Sequence, residues 1–131
     1  MSVRKRTWTI LGGGVALALT ITAASAAEDV ATIMPGCRAL MDDQVKTSSI
    51  FDAGYCAGMI DAIGFMGDAL SWQALALPKE IRQNFCISAP LTVTIKQAVR
   101  IVVAYIDARP DRMHEPFSQL AIEALRTVWP C

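Results

Sequence analysis

Apolar positions crowd the stretch from Val93 to Asp107. Val93, Ile95, Ala98, Val99, Ile101, Val102, Val103, Tyr105 and Ile106 leave only a narrow polar stripe through Lys96, Arg100 and Asp107. Thr94 followed by Gln97 is a capping-box start, in which each side chain satisfies a backbone N–H that the first turn leaves unpaired. A helix apolar on most sides is expected to be surrounded by others. This pattern therefore predicts the centre of the fold.

A second pattern starts near Pro116, where the missing N–H costs little because first-turn donors have no helical partner. Phe117, Leu120, Ala121, Ala124, Leu125 and Val128 recur at the spacing of a one-sided helix. Ser118, Gln119, Glu123, Arg126 and Thr127 fall on the other face. Arg109-Pro110-Asp111-Arg112 supplies the turn between the two, since the residue before a proline is pushed out of the helical region. The pair reads as a helical hairpin bracketed by Cys86 and Cys131.

Upstream, Ser49-Ile50-Phe51-Asp52 looks like another box-type start and predicts the longest helix, from about Ile50 to Ala74. That helix carries Gly54, Gly58, Gly64 and Gly67, each costing about 1 kcal/mol against alanine. Ala53, Gly54, Ala57 and Gly58 form a smooth strip whose ordinary purpose is tight packing within the domain, with Gly54 and Gly58 as the contact points. The alternative is a dimer seam. Ala27 to Asp43 is weak as helix because Pro35-Gly36 interrupts it, so only Cys37 to Met41 is expected to be helical. Leu70 to Leu91 is the least regular part. There Trp72, Leu75 and Leu77 either cap the open end of a bundle or offer an apolar surface to a partner. The expected architecture is all-α, a small disulfide-linked bundle of about four helices.

Residues 1–26 change the picture of where the chain works. Arg4-Lys5-Arg6 is a basic opening, Ile10 to Ala23 is uncharged and mildly apolar, and Ala24-Ser25-Ala26 is a small-x-small cleavage site. The run is weakly apolar for a membrane span, which needs about 20 strongly apolar residues. Cleavage after Ala26 and residence in the periplasm are expected, with residues 27–131 as a single helical domain. Removing three basic residues leaves nine against twelve acidic ones in the mature domain. No basic patch suggests nucleic acid, and no charge block suggests a tail.

Cys37, Cys56, Cys86 and Cys131 all follow the cleavage site. An even count in an exported domain argues for two disulfides, of which the sequence allows three pairings. Residues facing each other in a hairpin lie symmetrically about its turn. Cys37 and Cys56 are centred in the polar stretch between Lys46 and Thr47, and Cys86 and Cys131 near Arg109-Pro110. A Cys56–Cys86 pair would centre inside the long helix. The expected bonds are Cys37–Cys56 and Cys86–Cys131, each contributing on the order of 2–4 kcal/mol. Zinc is disfavoured because no close cysteine pair exists and His114 is the lone histidine. No nucleophile–base spacing, phosphate loop or dinucleotide fingerprint appears. No metal, cofactor or enzymatic activity is expected.

Several of these residues together carry a resemblance. Gly54-Tyr55-Cys56-Ala57-Gly58, Phe85-Cys86 with Pro90, Thr94-x-x-Gln97-x-Val99-Arg100, Arg109-Pro110-x-Arg112-Met113-His114 and the closing Trp129-Pro130-Cys131 make the chain similar to the Rap/Tai family. These are periplasmic immunity proteins that neutralise type VI secretion amidase effectors. The resemblance implies an all-helical, disulfide-bonded, often dimeric domain. It also implies binding to a peptidoglycan amidase with obstruction of its active site. The docking surface is expected either at Trp72–Pro78, through Trp72, Leu75 and Leu77, or at the turn, through Arg109, Arg112, Met113 and His114. Two rival readings are a small helical acid-activated chaperone of the periplasm and a structural envelope protein without an effector. The mature chain's modest acidity and single histidine provide no special acid trigger for the first.

Overall fold

The computed structural model describes residues 28–42, 45–72 and 78–131, which form five α-helices and two 3₁₀ turns, with no strand among the described residues. The expected leader, residues 1–26, and Leu75 and Leu77 lie outside them, as does the side chain of Trp72. Helix α1, Val30–Met41, is capped by Asp29, whose carboxylate accepts the Thr32 N–H at 2.8 Å. It runs straight through Pro35-Gly36, correcting the expectation of a break before Cys37. A proline inside a helix costs roughly 3 kcal/mol. On the opposite side, however, Val30, Ile33, Met34 and Cys37 are buried, and each large apolar group contributes about 1.5–3 kcal/mol on burial. Packing wins over the local breaker, and Pro35 is left facing solvent.

Helix α2, Ile50–Trp72, is fed by a 3₁₀ turn at Thr47–Ser49. Ser49 sits inside that turn, and its hydroxyl donates to the Lys46 carbonyl at 3.1 Å. Ala53, Cys56 and Ile60 face the core. Gly54 and Gly58 do not: a side chain at either would meet nothing within 4 Å, so the expectation that they mediate helix packing inside the domain is corrected. They lie on the side of α2 turned away from Cys56 and Ile60. The close approaches occur instead at Gly36, against the backbone of Asp52, and at Gly67, where a Cβ would lie 2.6 Å from the Ile87 side chain.

A fifth helix, α3 at Lys79–Phe85, occupies part of the stretch expected to be irregular. Helix α4, Ile95–Asp107, has both halves of the capping box formed between Thr94 and Gln97. It buries Ala98, Val99, Val102, Val103 and Ile106 yet leaves Gln97, Arg100 and Ala104 exposed. The small Ala104 and Ala108 make its outer face less apolar in area than the sequence pattern implies. The hub is therefore α2, which packs on α1, α3, α4 and α5. Helix α5, Phe117–Val128, buries Phe117, Leu120, Ala121, Ala124 and Leu125 and returns antiparallel to α4 through the 3₁₀ turn Pro110–Arg112.

Two disulfides pin the ends of these pairings, Cys37–Cys56 across α1 and α2 and Cys86–Cys131 across the base of the hairpin, with Cα–Cα distances of 5.3 and 5.8 Å. Beside the second, the Ser88 N–H donates to the Trp129 carbonyl at 3.0 Å, tying the end of the chain to the loop after α3. No described helix is long and apolar enough to cross a membrane.

Candidate functional site

The turn between α4 and α5 is built from residues that repeatedly satisfy one another. Arg109 precedes Pro110 and leaves the helical region at φ −136°, ψ 63°. Its guanidinium folds back over the Tyr105 ring, 3.6 Å from the centroid, and donates to the Tyr105 carbonyl at 2.8 Å. Arg112 grips Glu115 through Nε and Nη2 at 2.7 and 2.6 Å, and Glu123 through Nη1 and Nη2 at 2.6 and 3.1 Å. The Tyr105 hydroxyl donates to the same Glu123 carboxylate at 3.0 Å, and Gln119 approaches it at 3.3 Å. Two forked carboxylate pairs on one guanidinium are stronger and more directional than single ion pairs.

Titration follows this geometry. Hydrogen bonding from Arg112 lowers the Glu123 carboxyl to about 2, against a partial opposing effect of desolvation, with Tyr105 and Gln119 adding to the lowering. Glu115 is lowered chiefly by its bond from Arg112, and Arg112 is raised by the same two partners. The network is closed on itself.

The backbone of the turn is also fastened. Val30 N–H donates to the Glu115 carbonyl at 3.0 Å, Ala31 N–H to Met113 at 3.1 Å, and Phe117 N–H to Glu28 at 3.1 Å, around an antiparallel bridge between Asp29 and Pro116. The start of α1 therefore holds the turn in place. On α1's outer side, Arg38 pairs with Asp107 at 2.6 Å, linking α1 to the end of α4.

This arrangement separates the residues the sequence groups together. Arg109 and Arg112 spend their donors inside the domain, and Met113 is half-buried against the core. His114 is exposed, as are Pro110 and Asp111. The structure thus brings Arg109, Arg112 and Met113 together as a framework with Tyr105, Glu115 and Glu123, and presents Pro110, Asp111 and His114 outward. Among the described residues no three His, Cys, Asp or Glu side chains gather to hold a metal ion.

A second surface was legible in the sequence only as the small-residue strip at Gly54 and Gly58, not as the large exposed side chains around it. Along α2, Phe51 is 87% exposed, Phe65 73%, Met66 57% and Tyr55 48%. The available signal was that the Ile50–Trp72 stretch is apolar around its whole circumference, although a domain this small covers one side of it. A cleft of about 270 Å³ runs beside this surface, between Gly64 and Phe65 on α2 and Leu91 and Ile95 at the start of α4.

A family model of the Rap1a immunity proteins matches residues 26–131. No curated protein and no solved structure matches the chain.

Proposed function

The chain belongs to the Rap1a immunity protein family, and from that premise we propose that it acts in the periplasm, binding a peptidoglycan amidase effector delivered by type VI secretion and blocking its active site. The observation that carries this reading is the extent of the match, which takes in all five helices and both disulfides. An inhibitor of this kind needs a stiff complementary surface and no reacting group. Pre-ordering by disulfides and by a self-satisfied turn lowers the entropy lost on association. Disulfides also suit an oxidising compartment.

The outward part of the turn, Pro110, Asp111 and His114, is the effector-docking surface in this reading, with the Trp72–Pro78 segment as the second contact. The test is calorimetric titration of the mature protein against a secreted amidase encoded beside its gene. Saturable one-to-one binding is expected, weakened roughly tenfold or more by the double variant Asp111→Ala/His114→Ala. Absence of any heat of binding overturns the function. Undiminished affinity in the variant overturns only the placement.

A further inference from the structure

The Cys86–Cys131 bond brings the ends of two helices together, and with them two arginines. Arg82 stands in the last turn of α3, and its carbonyl accepts the Cys86 N–H at 3.0 Å. Arg126 stands in the last turn of α5, five residues before Cys131. Both line one cavity of about 800 Å³, joined by Lys79 from the start of α3 and by Asn84. No aspartate or glutamate is among its described lining residues. Positive charge is thus gathered in one place on a mature domain with nine basic residues against twelve acidic ones.

Arg82 is the informative member. It is half-buried, and its Nε is shut off from solvent without a hydrogen-bond partner, the only such side-chain atom among the described residues. Orphaned buried donors are rare in native proteins, and leaving one costs about 1–3 kcal/mol, more when the group is charged. Among the described residues no ion pair answers Lys79, Arg82 or Arg126. A cation in the last turn of a helix is favoured by the helix dipole, by about 0.3–1 kcal/mol. That accounts for charge at Arg82 and Arg126, but not for a partly buried guanidinium with nothing to bond.

We propose that this cavity binds a small phosphate-bearing ligand, with Arg82 and Arg126 gripping the phosphate and Lys79 closing on it from α3. Three cations around one space match a dianion better than a single carboxylate. Even with the Cys131 α-carboxylate set against one of them, two positive charges remain, close to the charge of a phosphate group. Guanidinium forks present the paired N–H groups that phosphate oxygens accept. The cavity is larger than a bare phosphate needs and falls in the ordinary range for small-molecule sites. Pro130 and the disulfide give it a wall without charge. Because the disulfide already holds α3 against the end of α5, little ordering is left for the ligand to impose. The proposal does not depend on the amidase.

The test titrates the mature, oxidised protein with inorganic pyrophosphate and with glycerol phosphate in low-salt buffer, by calorimetry and by amide NMR. One site is expected, with Kd below about 1 mM and shifted amide signals confined to α3 and the end of α5. Arg82→Gln and, separately, Arg126→Gln are expected to weaken binding about tenfold or more with unchanged circular dichroism spectra. Arg100→Gln removes the same charge from the exposed side of α4 and is expected to leave binding unchanged. Vesicles carrying phosphatidylglycerol distinguish the source of the phosphate. Uptake of glycerol phosphate points to a free ester, and sedimentation with the vesicles alone points to a lipid headgroup; either supports the site when Arg82→Gln abolishes it. Failure to bind pyrophosphate, glycerol phosphate and the vesicles overturns the proposal. So does binding that Arg82→Gln and Arg126→Gln leave intact, or that Arg100→Gln weakens as much as they do. Loss of amidase affinity in Arg82→Gln, with no phosphate bound by the wild type, would assign the cavity to the effector and overturns it equally.

Discussion

Gly36 on α1 and the backbone carbonyl of Asp52 on α2 share one small space, and a Cβ at position 36 would occupy the place of that carbonyl. The obstacle is backbone, so no rotamer change relieves it. The Cys37–Cys56 bond lies beside this contact and holds the two helices at the spacing that only glycine permits.

Gly36→Ala is therefore expected to destabilise the domain by about 2–4 kcal/mol, the upper range for overpacking. Gly64→Ala, whose Cβ meets nothing within 4 Å, is expected to stabilise it by about 0.5–1 kcal/mol through helix propensity. Urea unfolding of the two variants checks both signs.

How the two glycines differ could not be read from the chain. Propensity marks every helical glycine as a defect needing compensation, and only the docking of α1 on Asp52 and the position of Ile87 tell Gly36 and Gly67 from Gly54 and Gly64. The amphipathic α5, the capping box at Thr94 and the polar turn at Pro110 were legible because each signal is local. Pro35-Gly36 misled for the same reason: the local signal for a break is correct in isolation, and burial of Ile33, Met34 and Cys37 overrides it. At the candidate site, Arg-Pro-x-Arg is visible as a turn, but the inward grip of Arg112 on Glu123 spans eleven residues and depends on the hairpin closing. The α2 outer face was legible only in part: the small-residue strip at Gly54 and Gly58 marks a possible seam, but the exposure of Phe51 and Phe65 depends on which side of α2 the other helices cover.

The two disulfides should differ in weight. Loop entropy gives about 3 kcal/mol for the 19-residue separation of Cys37 and Cys56 and about 4 kcal/mol for the 45 residues between Cys86 and Cys131. Denaturation of Cys37→Ser/Cys56→Ser and Cys86→Ser/Cys131→Ser variants is expected to rank them in that order.

Acid sensitivity should trace to the turn. Glu123 is lowered to about 2, and Glu115 and Asp29 are lowered as well, from ordinary carboxyl values near 4. Carboxyls lowered by folding contribute stability that is fully present above the unfolded value and is lost as pH falls toward the folded one. Stability is expected to be flat above about pH 5 and to decline between about 4.5 and 2. Glu123→Gln should be less stable at neutral pH and lose less over that window, which thermal melts from about pH 7 to 2 would show.

Phe117 is fully buried at the start of α5, and its N–H is fixed to the Glu28 carbonyl. Phe117→Ala is expected to cost about 3–5 kcal/mol and to release the start of α1 first. Hydrogen exchange should show faster amides at Val30 and Ala31 in the variant.

Inhibition itself is the most direct test. Release of stem-peptide amines from purified peptidoglycan by a secreted amidase encoded beside the gene would be followed while the mature, oxidised protein is added. Hydrolysis falling to background at one equivalent of protein per enzyme is the predicted result. Hydrolysis at an undiminished rate with the protein in tenfold excess would contradict the account.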